Sequence, residues 1–356
     1  MRGSLSSANL PGFSQMPSGP DAFETALERL HCKLLERENP QSAIDAVFSE
    51  LEKLSPLAFS GAMRKISVAV SLHEEPRHGF SALVGCFVRQ MSTQQMIERW
   101  PNLAYLSTFD YNGRIREAAL NSINAPPSSA FLFMAIAYRL NDWVIEVRRA
   151  ARACAERIFP LTDPSIVAAA AVVLIERRTM WNRWGDESSV LEAALDREDV
   201  CRHLVEIIAT RTYGSMARLL RFALRRNTLD RYLLDLSQNA VQPAVRAVAL
   251  QSLINSRACW PTGFRQQWID KSMGISKRVV TFGERDLVRP ASIESLIELG
   301  KRDRAALVRK VAVDGLVKYR RVTPNALALA KRFAEDSNKS VRERGAFALS
   351  ALTVET

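Results

Sequence analysis

The sequence is poor in the residues that build metal centres and disulfide frameworks. Its 356 residues include 5 cysteines and 4 histidines, and no two cysteines form a C-x-x-C pair. No HExxH pair and no cysteine–histidine cluster with zinc spacing is present. An odd number of scattered cysteines is typical of reduced thiols in a cytosolic protein. We therefore expect a cytoplasmic chain with no metal and no other cofactor.

Long hydrophobic runs are missing as well. The most apolar stretch, residues 166–175, is too short to cross a bilayer as a helix, so we expect no membrane insertion. Residues 1–20 are rich in Ser, Gly and Pro, lack the apolar core of a secretory signal, and predict a flexible tail. Some bacterial export machines accept a serine-rich start of this kind, so non-classical export stays open beside a cytoplasmic location.

The motifs of the common nucleotide-binding and hydrolytic enzymes are also absent. There is no P-loop, no GxGxxG after a strand, and no G-x-S-x-G nucleophile elbow. We therefore expect a protein that binds a partner and does not catalyse a reaction.

Charge is abundant but unevenly distributed. Residues 1–200 contain 21 basic and 24 acidic side chains, whereas residues 201–356 contain 28 basic and 14 acidic ones. The whole basic excess, a net +11 for the chain, thus lies in the second part. Such asymmetry indicates an acidic partner, either a protein with an acidic surface or nucleic acid.

Helical periodicity runs through the chain from residue 21 onward. Apolar residues recur at helical spacing, as in Phe23, Leu27, Leu30 and Leu34, and prolines separate short helices. No Val/Ile-rich alternating run bounded by turn residues indicates a strand. The sequence therefore predicts an all-α chain of helical hairpins: a divergent cap over 21–92 and a repeat array over 93–356.

A short pattern, V-R-x-x-A, recurs along the predicted array. Its copies begin at Ile115, Val147, Val245, Val308 and Val341, the last with Gly in place of Ala. The intervals of 32, 98, 63 and 33 residues are close to one, three, two and one periods of about 32–33. Degenerate copies are then expected near 180, 212 and 277, and Lys277-Arg278 fits loosely at the last of these.

An aspartate stands six residues before most of the repeat arginines. The pairs are Asp110 and Arg116, Asp142 and Arg148, Asp303 and Arg309, and Asp336 and Arg342; Arg246 has no such Asp. We expect each carboxylate to cap a helix start. We also expect each guanidinium to reach the Asp of a neighbouring repeat, so that a ladder of ion pairs joins the repeats.

The pattern D-x(4)-V-R-x-x-A resembles the second helix of a HEAT-like repeat of the short bacterial type. The resemblance covers about residues 95–160 and 230–356. It implies a right-handed α-solenoid of stacked helical hairpins, whose second helices line a concave surface that holds proteins and sometimes nucleic acid.

The repeat arginines recur with the packing period, so we assign them to the stack itself. Their neighbours on the same helices are the better candidates for binding a partner. These neighbours are Arg149, Arg152, Lys310 and Arg344.

Two further basic segments are candidates. In residues 216–226, Arg218, Arg221 and Arg225 have the spacing of one helix face, and Arg226 follows them. Lys277 with Arg278 forms a second cluster. Each could contact phosphates or an acidic protein, although a solvated helix face is the more common reading of such runs.

The segment 179–186 contains Trp181 and Trp184, with Asp186 just beyond them. Tryptophan and arginine are typical of binding hot spots. These residue types also resemble those used by DNA glycosylases of the HEAT-like class, but no motif matches, so no catalytic role is assigned. A buried Trp pair that closes an irregular loop is the favoured interpretation.

These observations predict a non-enzymatic adaptor that holds a protein partner in the concave face of a HEAT-like solenoid. The alternative is a nucleic-acid-binding protein that uses the basic C-terminal part, and a DNA glycosylase of the HEAT-like class is a third, less favoured hypothesis.

Overall fold

The computed structural model describes residues 22–71, 92–177 and 180–355. The predicted tail, residues 1–20, lies outside this part. The described chain is mostly helical, with 18 α-helices and one two-stranded sheet. It divides into two compact units, Met1–Ile123 and Asn124–Thr356. Among the described residues, no helix combines the length and the hydrophobicity needed to cross a bilayer.

The first unit consists of short amphipathic helices. They are α1 Ala22–Leu35, α2 Gln41–Lys53, α3 Phe59–Val70, α4 Thr93–Arg99, α5 Pro101–Ser107 and α6 Gly113–Ser122. The apolar stripe of α1, including Leu27 and Leu30, is buried and packs against α2 and α3. Helix α4 begins with a capping box, in which the side chains of Ser92 and Gln95 each accept a hydrogen bond from the other residue's amide. These bonds satisfy amide groups that would otherwise be free at the helix start.

In the second unit eight helices precede the sheet, and the last of them leads directly into it. They are α7 Ala130–Arg139, α8 Ile145–Ile158, α9 Pro164–Arg177, α10 Ser188–Leu195, α11 Glu198–Thr210, α12 Met216–Ala223, α13 Leu233–Asn239 and α14 Pro243–Asn255. Every residue from Phe131 to Ala137 is buried, as expected for a helix that is apolar on all sides. Helix α7 is therefore a central core element of this unit, and it packs against α8 and α9.

Four helices follow the sheet: α15 Ile293–Lys301, α16 Ala306–Tyr319, α17 Ala326–Ala334 and α18 Lys339–Glu355. Together with α13 and α14 they form three successive helical hairpins, α13/α14, α15/α16 and α17/α18. The second helices pack in succession, α14 on α16 and α16 on α18. Repeat copies Arg246, Arg309 and Arg342 each lie near the start of one of these second helices.

The sheet corrects the expectation of an all-α chain. Strands β1 Arg257–Asp270 and β2 Ile275–Asp286 pair antiparallel, from Arg257 opposite Asp286 to Asp270 opposite Ile275. The register shifts between Pro261 and Gly263 and again near the turn. These irregularities and the exposure of both faces explain the missed prediction, because they remove the alternation by which a half-buried strand is recognised.

The sheet also corrects the repeat count. The 63 residues between the Val245 and Val308 copies hold one hairpin inserted between α14 and α15, not a degenerate repeat, and α14 packs directly on α16. Lys277 and Arg278 lie on β2. The copies expected near 180 and 212 are also wrong, since both positions lie in connections between helices.

Candidate partner-binding surface

The repeat arginines share one local contact, which explains the spacing of six residues. In each copy, Nη1 of the arginine donates a hydrogen bond to the main-chain carbonyl six positions earlier. The acceptors are the carbonyls of Asp110, Asp142, Ala240, Asp303 and Asp336, at 2.9, 2.9, 2.7, 3.1 and 2.7 Å. The arginine therefore fixes the turn that leads into its own helix, whether or not that turn carries an Asp.

The aspartates stabilise the same turn from the other side. The carboxylate of Asp303 accepts the amide of Ala305 at 2.7 Å, and that of Asp336 accepts the amide of Asn338 at 2.9 Å. Asp110 and Asp142 make the equivalent bonds with the residue two positions on. The expected capping role shifts accordingly, because the amide that donates to the carboxylate belongs to the residue before the helix and not to its first turn.

Two arginines also reach the next helical hairpin. Nε and Nη2 of Arg246 donate to the two carboxylate oxygens of Asp303 at 2.7 and 2.9 Å. The same atoms of Arg309 donate to Asp336, both at 2.9 Å, and Lys301 adds a third contact at 3.2 Å. These bidentate contacts tie α14 to the turn before α16, and α16 to the turn before α18.

The charges of these pairs are stabilised by their partners. Burial by itself raises the pKa of Asp336, but hydrogen bonds from Arg309, the Asn338 amide and Lys301 outweigh it and hold the pKa well below its ordinary value. Burial also raises the pKa of Asp303, but the hydrogen bonds from Arg246 and from the Ala305 amide outweigh it. The pKa of Asp303 therefore lies below its ordinary value. Both carboxylates are therefore ionised at neutral pH.

The ladder is different around α8. The side chain of Asp142 accepts a hydrogen bond at 2.8 Å from Arg139 of its own hairpin. Nε of Arg148 lies 3.7 Å from Glu187, an acidic residue that the repeat pattern does not contain. The contact expected between Arg148 and an aspartate of the following repeat is thus replaced by a longer one to a glutamate.

The candidates on the second helices differ in how free they are to bind. Arg149 is exposed on α8, and Lys310 is half-buried on α16. Arg152 is paired with Glu156 at 2.8 Å. Arg344 is paired with Asp314 at 2.5 Å, and it also bonds Ser340. Of these four, Arg149 and Lys310 have the side chains best placed to meet a partner.

The basic segment 216–226 is not one continuous helix face. Helix α12 ends at Ala223, so Arg225 and Arg226 lie beyond it. Arg218 pairs with Glu176, and Arg226 pairs with both Glu192 and Asp196.

Arg221 is partly buried, and this burial lowers its pKa below the ordinary value. Arg218 and Arg225 are exposed, and of these two Arg218 is paired with Glu176. Local acids therefore neutralise much of the charge that the sequence presents as a stripe.

The two tryptophans belong to an aromatic cluster. The ring of Trp181 packs edge-on against Tyr138 at 5.1 Å and against Trp184 at 4.8 Å. Both tryptophans are half-buried, whereas Asp186 is exposed. The cluster closes the connection between α9 and α10, and Asp186 does not point into an enclosed aromatic pocket.

The largest surface feature that the sequence did not reveal is the hairpin β1/β2. Besides Lys277 and Arg278 it exposes many large apolar side chains. They are Phe264, Trp268, Ile269, Met273, Ile275, Val280 and Phe282. The dipeptides Trp268-Ile269 and Val279-Val280, either side of the turn at Gly274, were the available signal.

The base of the hairpin is fixed to the helices. Arg285 bonds both carboxylate oxygens of Asp230, at 2.8 and 2.5 Å, and the carbonyls of Leu224 and Arg226. Ser256, in the left-handed conformation, ends α14 and leads into β1. The hairpin thus leaves the helices at a defined point.

Metal binding finds no support in the side-chain geometry. Within the three described ranges, no group of three or more His, Cys, Asp or Glu residues lies close enough to hold a metal ion. The lining of a cavity of about 630 Å³ includes Asp196, Glu198 and Asp230, each of which is paired with an arginine. Comparison of the chain with protein-family models, with curated proteins and with solved structures gave no match in any of the three.

Proposed function

We propose that this chain is a non-enzymatic adaptor of the HEAT-like kind, a right-handed α-solenoid that holds a protein partner with an acidic surface. The observation that carries the proposal is the pair of bidentate contacts, Arg246 with Asp303 and Arg309 with Asp336. Contacts that join one helical hairpin to the next keep the second helices in a fixed relation. A fixed array of this kind is what repeat proteins use as an extended binding surface.

The second helices carry side chains suited to an acidic partner. Arg149 and Lys310 have no ion-pair partner within the described residues, while the repeat arginines beside them are engaged by the turns. The structural and binding roles are thus divided between neighbouring positions of the same helices. In this proposal Arg149 and Lys310 meet carboxylates of the partner.

The alternative is a nucleic-acid-binding protein, favoured by the basic excess of residues 201–356. Local pairing weighs against it. Arg218, Arg226 and Arg344 are held by acidic side chains, and so are the repeat arginines Arg246 and Arg309. Phosphates would have to compete with these carboxylates.

Affinity capture from the source organism with the tagged full-length chain tests the proposal. A protein that survives nuclease treatment, and that is lost from the Arg149→Glu/Lys310→Glu variant, is the expected result. The control is Lys331→Glu, an exposed charge on α17. Capture that disappears with nuclease, or a DNA or RNA shift that weakens steeply with salt, would instead establish the alternative.

A further inference from the structure

One face of the hairpin β1/β2 is an exposed apolar surface. Phe264 lies opposite Val280, Trp268 opposite Ser276, and Phe282 opposite Pro261, so these side chains share a face. Phe264 and Phe282 are each 58% exposed and Trp268 is 47% exposed. Contiguous apolar surface of this kind marks an interaction site in a folded protein.

Positive charge accompanies this surface. The Arg278 guanidinium lies 4.2 Å from the centre of the Phe264 ring, on the same face. Three further basic residues are exposed and have no ion-pair partner among the described residues: Lys271 in the turn, and Arg265 and Lys277, which project from the opposite face of the sheet. The one acidic residue nearby, Asp270, accepts hydrogen bonds from Ser272 and Met273 in the turn. The outer half of the hairpin therefore carries a positive charge that its own residues leave unbalanced.

The base of the hairpin is different. There Arg257 pairs with Glu284, and Arg285 pairs with Asp230. The unbalanced charge is thus confined to the same outer half in which the aromatic side chains are exposed.

We propose that this face binds an extended acidic segment of a partner protein, in which carboxylates and aliphatic or aromatic side chains project from the same side of the segment. The inference rests on the proposed adaptor function and names the chemistry of the partner. An extended segment places every second side chain on one side, so apolar residues can contact Phe264 and Trp268 while a carboxylate two positions from one of them reaches Arg278, which lies on the same face. From Pro261 to Trp268 the face measures roughly 23 Å at about 3.3 Å per residue, the length of about seven peptide residues.

The distribution of groups favours a peptide over a nucleic acid. A nucleic-acid strand needs positive charge that follows its backbone over several phosphates, but here the charge ends where Glu284 pairs with Arg257. Val280, the aliphatic residue of this face, is well suited to contact apolar side chains of a peptide.

The test measures binding of a fluorescent eight-residue peptide to the full-length chain; every second residue of the peptide is in turn glutamate and isoleucine or phenylalanine, with serine between them, so that both kinds of side chain share one side. We expect binding that weakens about tenfold or more in Phe264→Ser/Phe282→Ser and in Arg278→Glu, since both remove central contacts. Phe347→Ser and Lys331→Glu change an exposed apolar residue on α18 and an exposed charge on α17, and they should bind as the parent chain does. All three substituted hairpin positions are exposed, so unchanged melting curves are expected.

Three results would overturn the inference: no binding of the acidic peptide, equal binding of the same peptide with lysine in place of glutamate, or unchanged binding by the hairpin variants. Displacement of the acidic peptide by a 15-residue oligothymidylate at lower concentration would also overturn it, in favour of nucleic acid. Retention of the captured native partner by the hairpin variants overturns this inference and leaves the adaptor function intact. Failure of the parent chain to capture any protein overturns the adaptor function itself.

Discussion

The guanidinium of Arg246 binds the carboxylate of Asp303 through two hydrogen bonds, across 57 residues of sequence. Arg246 is 2% exposed, and the pair lies between α14 and the turn before α16. Most of the intervening residues form the β-hairpin. The contact therefore joins the helices on either side of the inserted hairpin, and it holds α14 next to α16 although they are far apart in sequence.

Arg246→Ala should destabilise the second unit strongly. Loss of the guanidinium leaves the Asp303 carboxylate and the Ala240 carbonyl without their partner, a defect that typically costs about 3–5 kcal/mol. Hydrogen exchange of the α14 and α16 amides under increasing urea measures the change. Arg148→Ala is the matched comparison, and should cost only about 1 kcal/mol because its contact with Glu187 is long. Equal losses in the two variants would contradict this account.

Stability should fall in acid because of Asp336. Its pKa in the folded chain lies below the unfolded value of about 3.9, so its contribution is complete above that value and is lost as the pH falls through the folded pKa. Urea unfolding from about pH 6 to about pH 2 should therefore show a large gap between the parent chain and Asp336→Asn at the upper end, which closes toward the lower end. A gap of constant size would show that the carboxylate charge is not responsible.

Gly345→Ala should destabilise the α17/α18 hairpin. A Cβ at this position would overlap the backbone of Phe333 and Ala334, which explains why this repeat copy has Gly where the others have Ala. Backbone atoms cannot move aside cheaply, so we expect a loss of about 1–3 kcal/mol in thermal or urea unfolding. Gly61→Ala in α3 is the control: no atom lies within 4 Å of its added Cβ, and a gain of about 0.5–1 kcal/mol is expected there.

Arg285→Ala should loosen the hairpin while leaving the helices folded. Isolated two-stranded hairpins are marginal in water, and Arg285 supplies the bonds to Asp230 and to two helix-end carbonyls. Limited trypsin digestion should therefore cut the variant several times faster after Arg265, Lys271 and Lys277. Arg257→Ala removes exposed pairs with Glu284 and Asp286 and should digest at nearly the parent rate. Similar protection in both variants would show that Arg285 is not the anchor.

The helical part of the fold was accessible from the sequence because its signals are local and periodic. Val308, Ala312 and their counterparts mark buried positions of second helices, and the Arg that follows each Val marks a turn carbonyl contact. The contact of Arg246 with the carboxylate of residue 303 in the next repeat was predicted, but the bond from Arg309 to the carbonyl of the same residue, which explains the interval of six, was not. Sequence spacing cannot separate these two acceptors, since one residue provides both.

The hairpin could not be anticipated in the same way. Its length is close to one repeat period, so Lys277 and Arg278 were fitted to a helix by arithmetic alone. Both of its faces meet solvent, and therefore no apolar/polar alternation distinguishes it. That its apolar residues are exposed, and could form a site, was not predictable from the sequence. Exposure depends on which elements pack against a residue, and sequence pattern alone does not determine this packing.

Arg257 and Asp286 face each other as the first residue pair of β1 and β2, so the chain departs from the helices and returns to them at neighbouring points. A loop with adjacent ends can be shortened or exchanged without moving the elements it connects. The hairpin can therefore be replaced as a unit: a different binding element could be grafted between Ser256 and Leu287 without changing the positions of α14 and α16.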